Sequence, residues 1–240
     1  MTSQVLKNAV KFLKEYTPCD VSDSLAKQGL KNGGFFPNLT QYSSSSQSST
    51  DGSVVGTAYT VLFAPIDDPR PSVKGGYIDH IPEGSFVVIG LTKELQKSEA
   101  PYVKVNNALY GGLMSTRAQY LNANGTVVFG RIRDVNEHRS LKYPVFAYGL
   151  GTTAAQSVVK IVGVQVPIEI NIGENFYETI EPHDLIIGDE NGIVRIPKTV
   201  DLESVLNYIP KRVEADQLVA TDIANGKPAN PSQKERRAGL

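Results

Sequence analysis

The sequence predicts an α/β fold with flanking N- and C-terminal helices. Three observations support this: β-branched and aromatic runs bounded by Gly and Pro, a strand, helix, strand order in the middle of the chain, and amphipathic patterns at both ends. With 240 residues, 40% of them hydrophobic, the chain can bury a substantial core. Because neither an internal repeat nor a break in composition divides it, residues 1–240 are predicted to form one domain.

The first part of the chain predicts two helices, a loop and two strands. Apolar residues at helical spacing run from Val5 to Tyr16, Pro18 is expected to close that helix, and Gly29 to end a second one. Residues 41–53, QYSSSSQSSTDGS, are polar and low in complexity, which predicts a flexible surface loop. The runs VVGTAYTVLF and GSFVVIGL that follow are typical of buried strands.

The middle of the chain predicts a helix followed by a buried strand. Residues 107–122, NALYGGLMSTRAQYLN, have helical character, NANG stops the helix, and TVVFG is the strand. Since this helix lies between two strands, a parallel pair joined by a right-handed crossover is expected.

The last part of the chain predicts further strands and a terminal helix. YPVFAYGL and SVVKIVGVQVPIEI continue the β content, and DLIIGDENGIVRIP predicts a hairpin that turns at Asn191 and Gly192. A helix is expected over residues 199–225, followed by a frayed tail over 226–240.

Composition excludes several classes of function. The 24 basic and 25 acidic residues give a formal charge of −1, so no nucleic-acid partner is expected. The single cysteine, Cys19, cannot form an intramolecular disulfide, which favours a reducing, cytoplasmic setting. No apolar run approaches the roughly 18 residues that a membrane span needs, so no membrane partner is expected either.

The stretch GGLM, Gly111 to Met114, is a first candidate site. Glycines allow a ligand to approach the backbone closely, and the first amides of a helix lack partners within the helix, so they can bind an anion or a developing oxyanion. A structural explanation is also open, because glycine can simply permit tight packing between a helix and a strand.

The stretch GRIRDVNEHR, residues 130–139, is a second candidate site, at the exit of the buried strand. Arg133 presents a planar fork that can bind a carboxylate through two hydrogen bonds. Asp134 and Glu137 stand three residues apart, so on a helical turn they can share one hard cation. Oxygen ligands favour Mg²⁺ or Mn²⁺ over zinc.

A structural alternative exists for the same residues. Asp134 and Glu137 also form the pattern of a capping box, which would stabilise a helix start by about 1 kcal/mol and serve no other purpose. Arg131, His138 and Arg139 receive no role in a site. Neither a zinc-site spacing, nor a Gly-x-Ser-x-Gly elbow, nor a phosphate-binding loop is present, so a zinc site, a serine hydrolase and a nucleotide-triphosphatase lack support.

The stretch NALYGGLMSTRAQYLNANGTVVFGRIRDVNEHRSLKYPVFAYGL resembles the RraA family, which includes the 4-hydroxy-4-methyl-2-oxoglutarate aldolases. The resemblance extends to VVGTAYTV before it and DLIIGDENGIVRIP after it, and covers most of residues 20–200. Its most specific feature is the twenty residues that separate Gly112 from the Arg133–Asp134 pair.

This resemblance implies a three-layer β/β/α swivelling-type domain, assembled as a homotrimer or a dimer of trimers. It also implies a class II, Mg²⁺- or Mn²⁺-dependent aldolase that releases pyruvate from a small 2-keto acid and decarboxylates oxaloacetate through the same enolate. Arg133 would bind the pyruvyl carboxylate, the Leu113 and Met114 amides beside Gly111 and Gly112 would hold substrate oxygens, and Asp134 would bind the metal.

One departure from the family pattern changes the expected metal site. Many of the bacterial aldolases have an aspartate where this chain has Gly112, and that acid orients a water on the metal. We expect Glu137 to supply the missing carboxylate as a catalytic residue, either as a metal ligand or by anchoring a water on the metal. The alternative that the resemblance leaves open is a non-catalytic regulator that binds and inhibits an RNA-degrading endonuclease or another protein.

Overall fold

The computed structural model describes residues 3–45 and 52–240. The helices within these residues are α1 (Ser3–Leu13), α2 (Pro18–Lys27), α3 (Gly112–Tyr120), α4 (Val135–Leu141), α5 (Leu202–Ala224) and α6 (Ala229–Arg236). The strands are β1 (Phe35–Phe36), β2 (Thr40–Ser43), β3 (Val54–Pro65), β4 (Ser85–Leu91), β5 (Ala108–Tyr110), β6 (Gly125–Ile132), β7 (Val145–Leu150), β8 (Val159–Val164), β9 (Ile168–Gly173), β10 (Phe176–Ile180), β11 (Leu185–Asp189) and β12 (Gly192–Ile196).

Ten of these strands form one mixed sheet, and β9 and β10 form a separate hairpin. The main path of the sheet is β1-β12-β11-β3-β4-β6-β7-β2, with β5 beside β6 and β8 beside β3. The neighbours β3, β4, β6 and β7 run parallel, which confirms the parallel pair predicted around α3. β11 and β12 form the predicted antiparallel hairpin.

The two faces of the large sheet bury alternate residues of the same strands, which gives three layers. In β4, Val87 and Ile89 pack in the cluster that holds residues of α3, whereas Phe86 and Val88 face Ile168 and Ile170 of the β9–β10 hairpin. Helices α1, α2 and α5 cover β11 and β12 on the helical face. A period of two in a strand buried on both sides produces this pattern. The predicted β/β/α arrangement is confirmed.

The structure differs from the predicted boundaries at two helices. Pro18 does not close the first helix but begins α2, because the Thr17 side chain accepts from the Asp20 amide in a capping box and proline tolerates the first helical turn. The start of the predicted helix at 107–122 is strand β5, and the helix itself begins at Gly112. β5 adds to β6, so sheet pairing overrides the local helical preference there.

Two segments predicted to be flexible contain ordered structure. Within the predicted loop 41–53, the first residues belong to β2, which pairs with β7; residues 46–51 lie outside the described part of the chain. Within the predicted frayed tail 226–240, α6 is held by ion pairs from Asp222 of α5 to Lys227 and Arg236. The buried Ser232 hydroxyl donates to the same carboxylate at 2.7 Å. Among the described residues, no helix combines the length and apolar character that crossing a bilayer requires.

Candidate active site

Two loops meet at the carboxyl edge of the sheet, where α3 follows β5 and α4 follows β6. β5 and β6 are parallel neighbours, so both helices start at the same edge. The Arg133 amide donates to the Tyr110 carbonyl at 3.0 Å, which joins the two strand exits directly. The structure therefore brings the two candidate stretches, GGLM and GRIRDVNEHR, into one place.

Asp134 joins the two stretches through its side chain. Its Oδ2 accepts a hydrogen bond from the Gly112 amide at 3.1 Å and lies 3.4 Å from Nε of Arg133. Asp134 has φ 61° and ψ 41°, in the left-handed region, which a residue other than glycine occupies at a cost of order 1 kcal/mol or more. Such strain persists where surrounding contacts fix the backbone, and it aims the carboxylate at α3.

The capping-box alternative does not describe this site. Asp134 is the N-cap residue of α4, but its side chain accepts no hydrogen bond from that helix. The carboxylate instead binds the start of α3, across the cleft. A side chain turned away from its own helix is free to take part in a binding site.

Glu137 occupies the space beside Gly112. A Cβ atom built on Gly112 would lie 1.8 Å from Oε2, 2.6 Å from Cδ and 2.7 Å from Cβ of Glu137. A real side chain at position 112 and the observed Glu137 side chain therefore exclude each other. The Glu137 side chain, from α4, therefore occupies the volume that a side chain at position 112 of α3 would fill.

The backbone amides at the start of α3 have different partners. The Gly112 amide donates to Asp134, and the Met114 amide donates to the Gly111 carbonyl at 3.0 Å. Leu113 has no hydrogen-bond acceptor for its amide among the residues that the structure describes. The Leu113 amide is thus the donor available to a ligand, whereas the predicted role of the Met114 amide requires that it leave the Gly111 carbonyl.

These groups open into a cavity of about 720 Å³. All the predicted site residues line it except Gly112, which is buried beneath Glu137. The rest of the lining was not predicted and is mostly apolar: Phe63, Ile66, Tyr77, Leu109, Val159 and Ile161. The paired strands β3 and β8 contribute Phe63, Val159 and Ile161, and no local motif indicates their pairing.

The three residues that received no role lie in different environments. Arg139 is exposed and donates to the Tyr42 carbonyl, and Arg131 donates to the Leu150 carbonyl. His138, which received no role from the sequence, is fully buried, with both ring nitrogens hydrogen-bonded. Burial lowers the pKa of His138, against the smaller opposing effect of its hydrogen bond to Arg133, so the neutral ring is favoured.

The metal ligands available here are oxygens. Asp134 and Glu137 line the cavity, and no histidine or cysteine does so. Across the described parts of the chain, no group of three or more His, Cys, Asp or Glu side chains could enclose a metal. Mg²⁺ is commonly bound by one or two carboxylates while it keeps several waters, so two carboxylates fit Mg²⁺ or Mn²⁺ and do not fit a structural zinc.

Comparison with known protein families places this site in context. The RraA-like family, described as Aldolase/RraA, matches residues 18–195, which include both candidate stretches. The chain belongs to the RraA-like family. The matched residues include most of the sheet and both helices that border the cleft, α3 and α4.

Curated relatives match different shares of the chain. Protein DlpA of Legionella pneumophila is 28% identical over 235 residues, 97% of this chain and 34% of DlpA. A putative 4-hydroxy-4-methyl-2-oxoglutarate aldolase of Halalkalibacterium halodurans is 34% identical over 110 residues, 46% of this chain and 49% of the relative. This chain therefore spans about a third to a half of the length of these relatives.

Solved structures confirm the fold. An uncharacterized protein from Pseudomonas syringae pv. tomato superimposes with a TM-score of 0.74 at 22% identity, covering 95% of this chain and 97% of the other. Streptomyces coelicolor RraAS2, described as an unusual member of the RNase ES inhibitor RraA protein family, gives 0.66 at 18% identity, covering 92% and 96%. At these identities the likeness concerns the fold alone.

Proposed function

We propose that this protein is a divalent-metal-dependent class II aldolase that cleaves 4-hydroxy-4-methyl-2-oxoglutarate-type 2-keto acids to pyruvate and decarboxylates oxaloacetate. The observation that carries the proposal is the convergence of Arg133, Asp134, Glu137 and the Leu113 amide on one cavity. The name of the Halalkalibacterium relative supports the same class of reaction.

Each group has a distinct part in the proposed reaction. Arg133, whose side chain is 40% exposed, binds the carboxylate of the 2-keto acid end through its guanidinium fork. The Leu113 amide donates to a substrate oxygen at the positive end of α3. Asp134 and Glu137 would hold Mg²⁺ or Mn²⁺, and the bound cation supplies Lewis-acid stabilisation of the charge that develops on the keto oxygen.

The two reactions share their electron flow. In the aldol cleavage, the C3–C4 bond breaks, its electron pair stays with the pyruvyl fragment as an enolate, and the C4 hydroxyl gives its proton to a solvent water as the second carbonyl forms. In the decarboxylation, the bond to the departing CO₂ breaks and leaves the same enolate. Protonation of that enolate at C3 gives pyruvate in both cases, so one arrangement of residues serves both substrates.

The test is release of pyruvate from oxaloacetate and from 4-hydroxy-4-methyl-2-oxoglutarate, with Mg²⁺ and with a chelator. Because Mg²⁺ alone promotes decarboxylation, the matched control is Asp134→Asn at the same Mg²⁺ concentration. We expect release by the wild type with Mg²⁺, and background rates with chelator or in Asp134→Asn. No release above background from either substrate would refute the aldolase and favour the alternative of a protein-binding regulator.

The assembly expected for this function is a homotrimer or a dimer of trimers in the cytoplasm. Leu113 is 73% exposed at the cavity, and Ile66 of the cavity wall is 48% exposed, which supports coverage by a ligand or a second copy of the chain. Sedimentation equilibrium tests the assembly, and a monomer at micromolar concentration would contradict it.

A further inference from the structure

His138 is a buried ionisable group that the proposed reaction does not use. It follows Glu137 on α4, its side chain is 0% exposed, and its ring does not line the cavity. Its Nε2 lies 2.8 Å from the Arg133 carbonyl, and its Nδ1 lies 2.9 Å from the Ser115 hydroxyl of α3. The ring therefore connects α4, the end of β6 and α3 behind the site.

The partners of the ring define its tautomer. A carbonyl oxygen can only accept, so Nε2 must carry a hydrogen and donate to Arg133. In the neutral ring, Nδ1 then accepts from the Ser115 hydroxyl. Both nitrogens are satisfied in this state, as a buried polar side chain requires.

These contacts hold the backbone of Arg133 on both sides. Its carbonyl accepts from His138, and its amide donates to the Tyr110 carbonyl at 3.0 Å. The Tyr110 and His138 rings stack at 5.8 Å with an interplanar angle of 21°. Asp134 follows at once in its left-handed conformation, which needs such fixed surroundings.

The same contacts continue into a buried hydroxyl network. The Ser115 hydroxyl lies 3.1 Å from that of Tyr110, which lies 3.2 Å from Thr126 Oγ1. Thr126 Oγ1 in turn lies 3.0 Å from the Tyr143 hydroxyl. A connected network of this kind rigidifies its surroundings, because each polar group would be left unsatisfied if its neighbour moved.

We propose that His138, held by Ser115, is a positioning residue that sets the place of Arg133 and Asp134 in the site. His138 acts through the Arg133 carbonyl and touches neither substrate nor metal. This inference rests on the proposed function, since it assigns His138 the task of aligning the anion-binding arginine and the metal-binding aspartate.

The test compares two substitutions at His138, each of which keeps a polar group near only one of the two ring nitrogens. Glutamine can place a donor near the Nε2 position, whereas asparagine reaches only the Nδ1 position, so His138→Gln keeps the hydrogen bond to Arg133 and His138→Asn loses it. The readouts are kcat/KM for pyruvate release and the Kd of oxalate, a mimic of the pyruvate enolate, measured by calorimetry with Mg²⁺. We expect His138→Asn to weaken oxalate binding and lower kcat/KM at least tenfold, and His138→Gln, which loses only the contact with Ser115, to weaken them no more than Ser115→Ala does.

A matched control separates positioning from general destabilisation. Val205→Ala removes core volume in α5, in a different hydrophobic cluster from the site, and lowers the melting temperature without touching the network. We expect Val205→Ala to retain wild-type oxalate affinity. Equal oxalate affinity in His138→Asn and His138→Gln would overturn the inference, as would an equal loss in Val205→Ala.

A second measurement covers the case in which His138→Asn does not fold. In the wild type, ¹⁵N NMR of the histidine rings at neutral pH should show His138 protonated at Nε2 and unprotonated at Nδ1, and Ser115→Ala should weaken oxalate binding severalfold. The opposite tautomer, or wild-type affinity in Ser115→Ala, would overturn the inference while pyruvate release stands. A wild type that neither binds oxalate nor releases pyruvate would overturn the proposed function, and this inference with it.

Discussion

Moving the carboxylate from position 137 to position 112 tests how the site is built. In the structure, a Cβ on Gly112 would lie 2.7 Å from the Cβ of Glu137, so Gly112→Asp cannot be accommodated by turning the end of the glutamate alone. α3 and α4 must separate, or Glu137 must leave the cavity. Combining Gly112→Asp with Glu137→Ala removes this conflict and leaves one carboxylate in the same volume.

The expected magnitudes follow from this geometry. Overpacking by Gly112→Asp alone should cost about 1–3 kcal/mol of stability. Glu137→Ala alone should weaken Mn²⁺ binding by about 10- to 100-fold, or roughly 1.4–2.7 kcal/mol. In the double variant the aspartate enters the vacated space, and a carboxylate in the first turn of α3 adds about 0.3–1 kcal/mol through the helix dipole. The double variant should therefore recover most of the stability that Gly112→Asp loses and most of the Mn²⁺ affinity that Glu137→Ala loses.

The assay is a double-mutant cycle on four proteins, with the Kd of Mn²⁺ from calorimetry and the melting temperature from thermal unfolding. We expect the double variant to bind Mn²⁺ within about fivefold of the wild type and to melt near it. Glu137→Gln, which keeps the shape of the side chain and removes its charge, is the matched control for Glu137→Ala. Additive effects, within about 0.5 kcal/mol, would refute the idea that the two positions share one volume and one role.

Three further predictions concern neighbouring groups. Arg133→Ala should lower kcat/KM for pyruvate release by about 10- to 100-fold with the fold intact, and Arg133→Lys should not restore it; a lost melting transition would instead mark Arg133 as structural. A Cβ on Gly111 would meet Asp134 Oδ2 at 2.7 Å and Arg133 Nε at 3.2 Å, so Gly111→Ala should weaken oxalate binding, and unchanged calorimetric affinity would contradict this. Burial lowers the pKa of His138, so with chelator present the free energy of unfolding should decrease as the pH falls below about 6.5, because the unfolded chain then binds the proton more readily. His138→Gln should lack this part of the pH dependence. If denaturant titrations give the same change in the free energy of unfolding between pH 7 and 5 for the wild type and His138→Gln, the prediction is wrong.

Much of the fold could be predicted because its strands are buried on both faces and have turn residues at their ends. β4 and β6 are almost continuous apolar runs, and the predicted hairpin of β11 and β12 forms, with its two-residue turn at Glu190 and Asn191, one residue earlier than predicted. The predictions that differed depended on tertiary contacts. β2 forms because β7 offers an edge, and β5 pairs with the end of β6 beyond the residues that pair with β4. α6 is ordered because Asp222 of α5 accepts from Ser232 and pairs with Arg236. Local composition contains none of this information.

The sequence indicated that the two candidate stretches meet, but not the geometry with which they do so, and the roles of their residues stay predictions. The strand, helix, strand order around α3 places the start of that helix and the exit of the next strand at one edge of the sheet. It did not indicate that Asp134 would turn across the cleft to the Gly112 amide, nor that His138 would be buried beneath them. Asp134 has an unusual backbone conformation and His138 sits in a network from three elements, and both depend on contacts distant in sequence.

Mn²⁺ binding followed by electron paramagnetic resonance, in the wild type and in Asp134→Asn, tests directly whether Asp134 and Glu137 form a metal site. We expect a Mn²⁺ site in the wild type, a change in its spectrum when oxalate is added, and at least tenfold weaker binding in Asp134→Asn. Identical titrations of the two proteins, with no effect of oxalate, would contradict a metal site formed by Asp134 and Glu137.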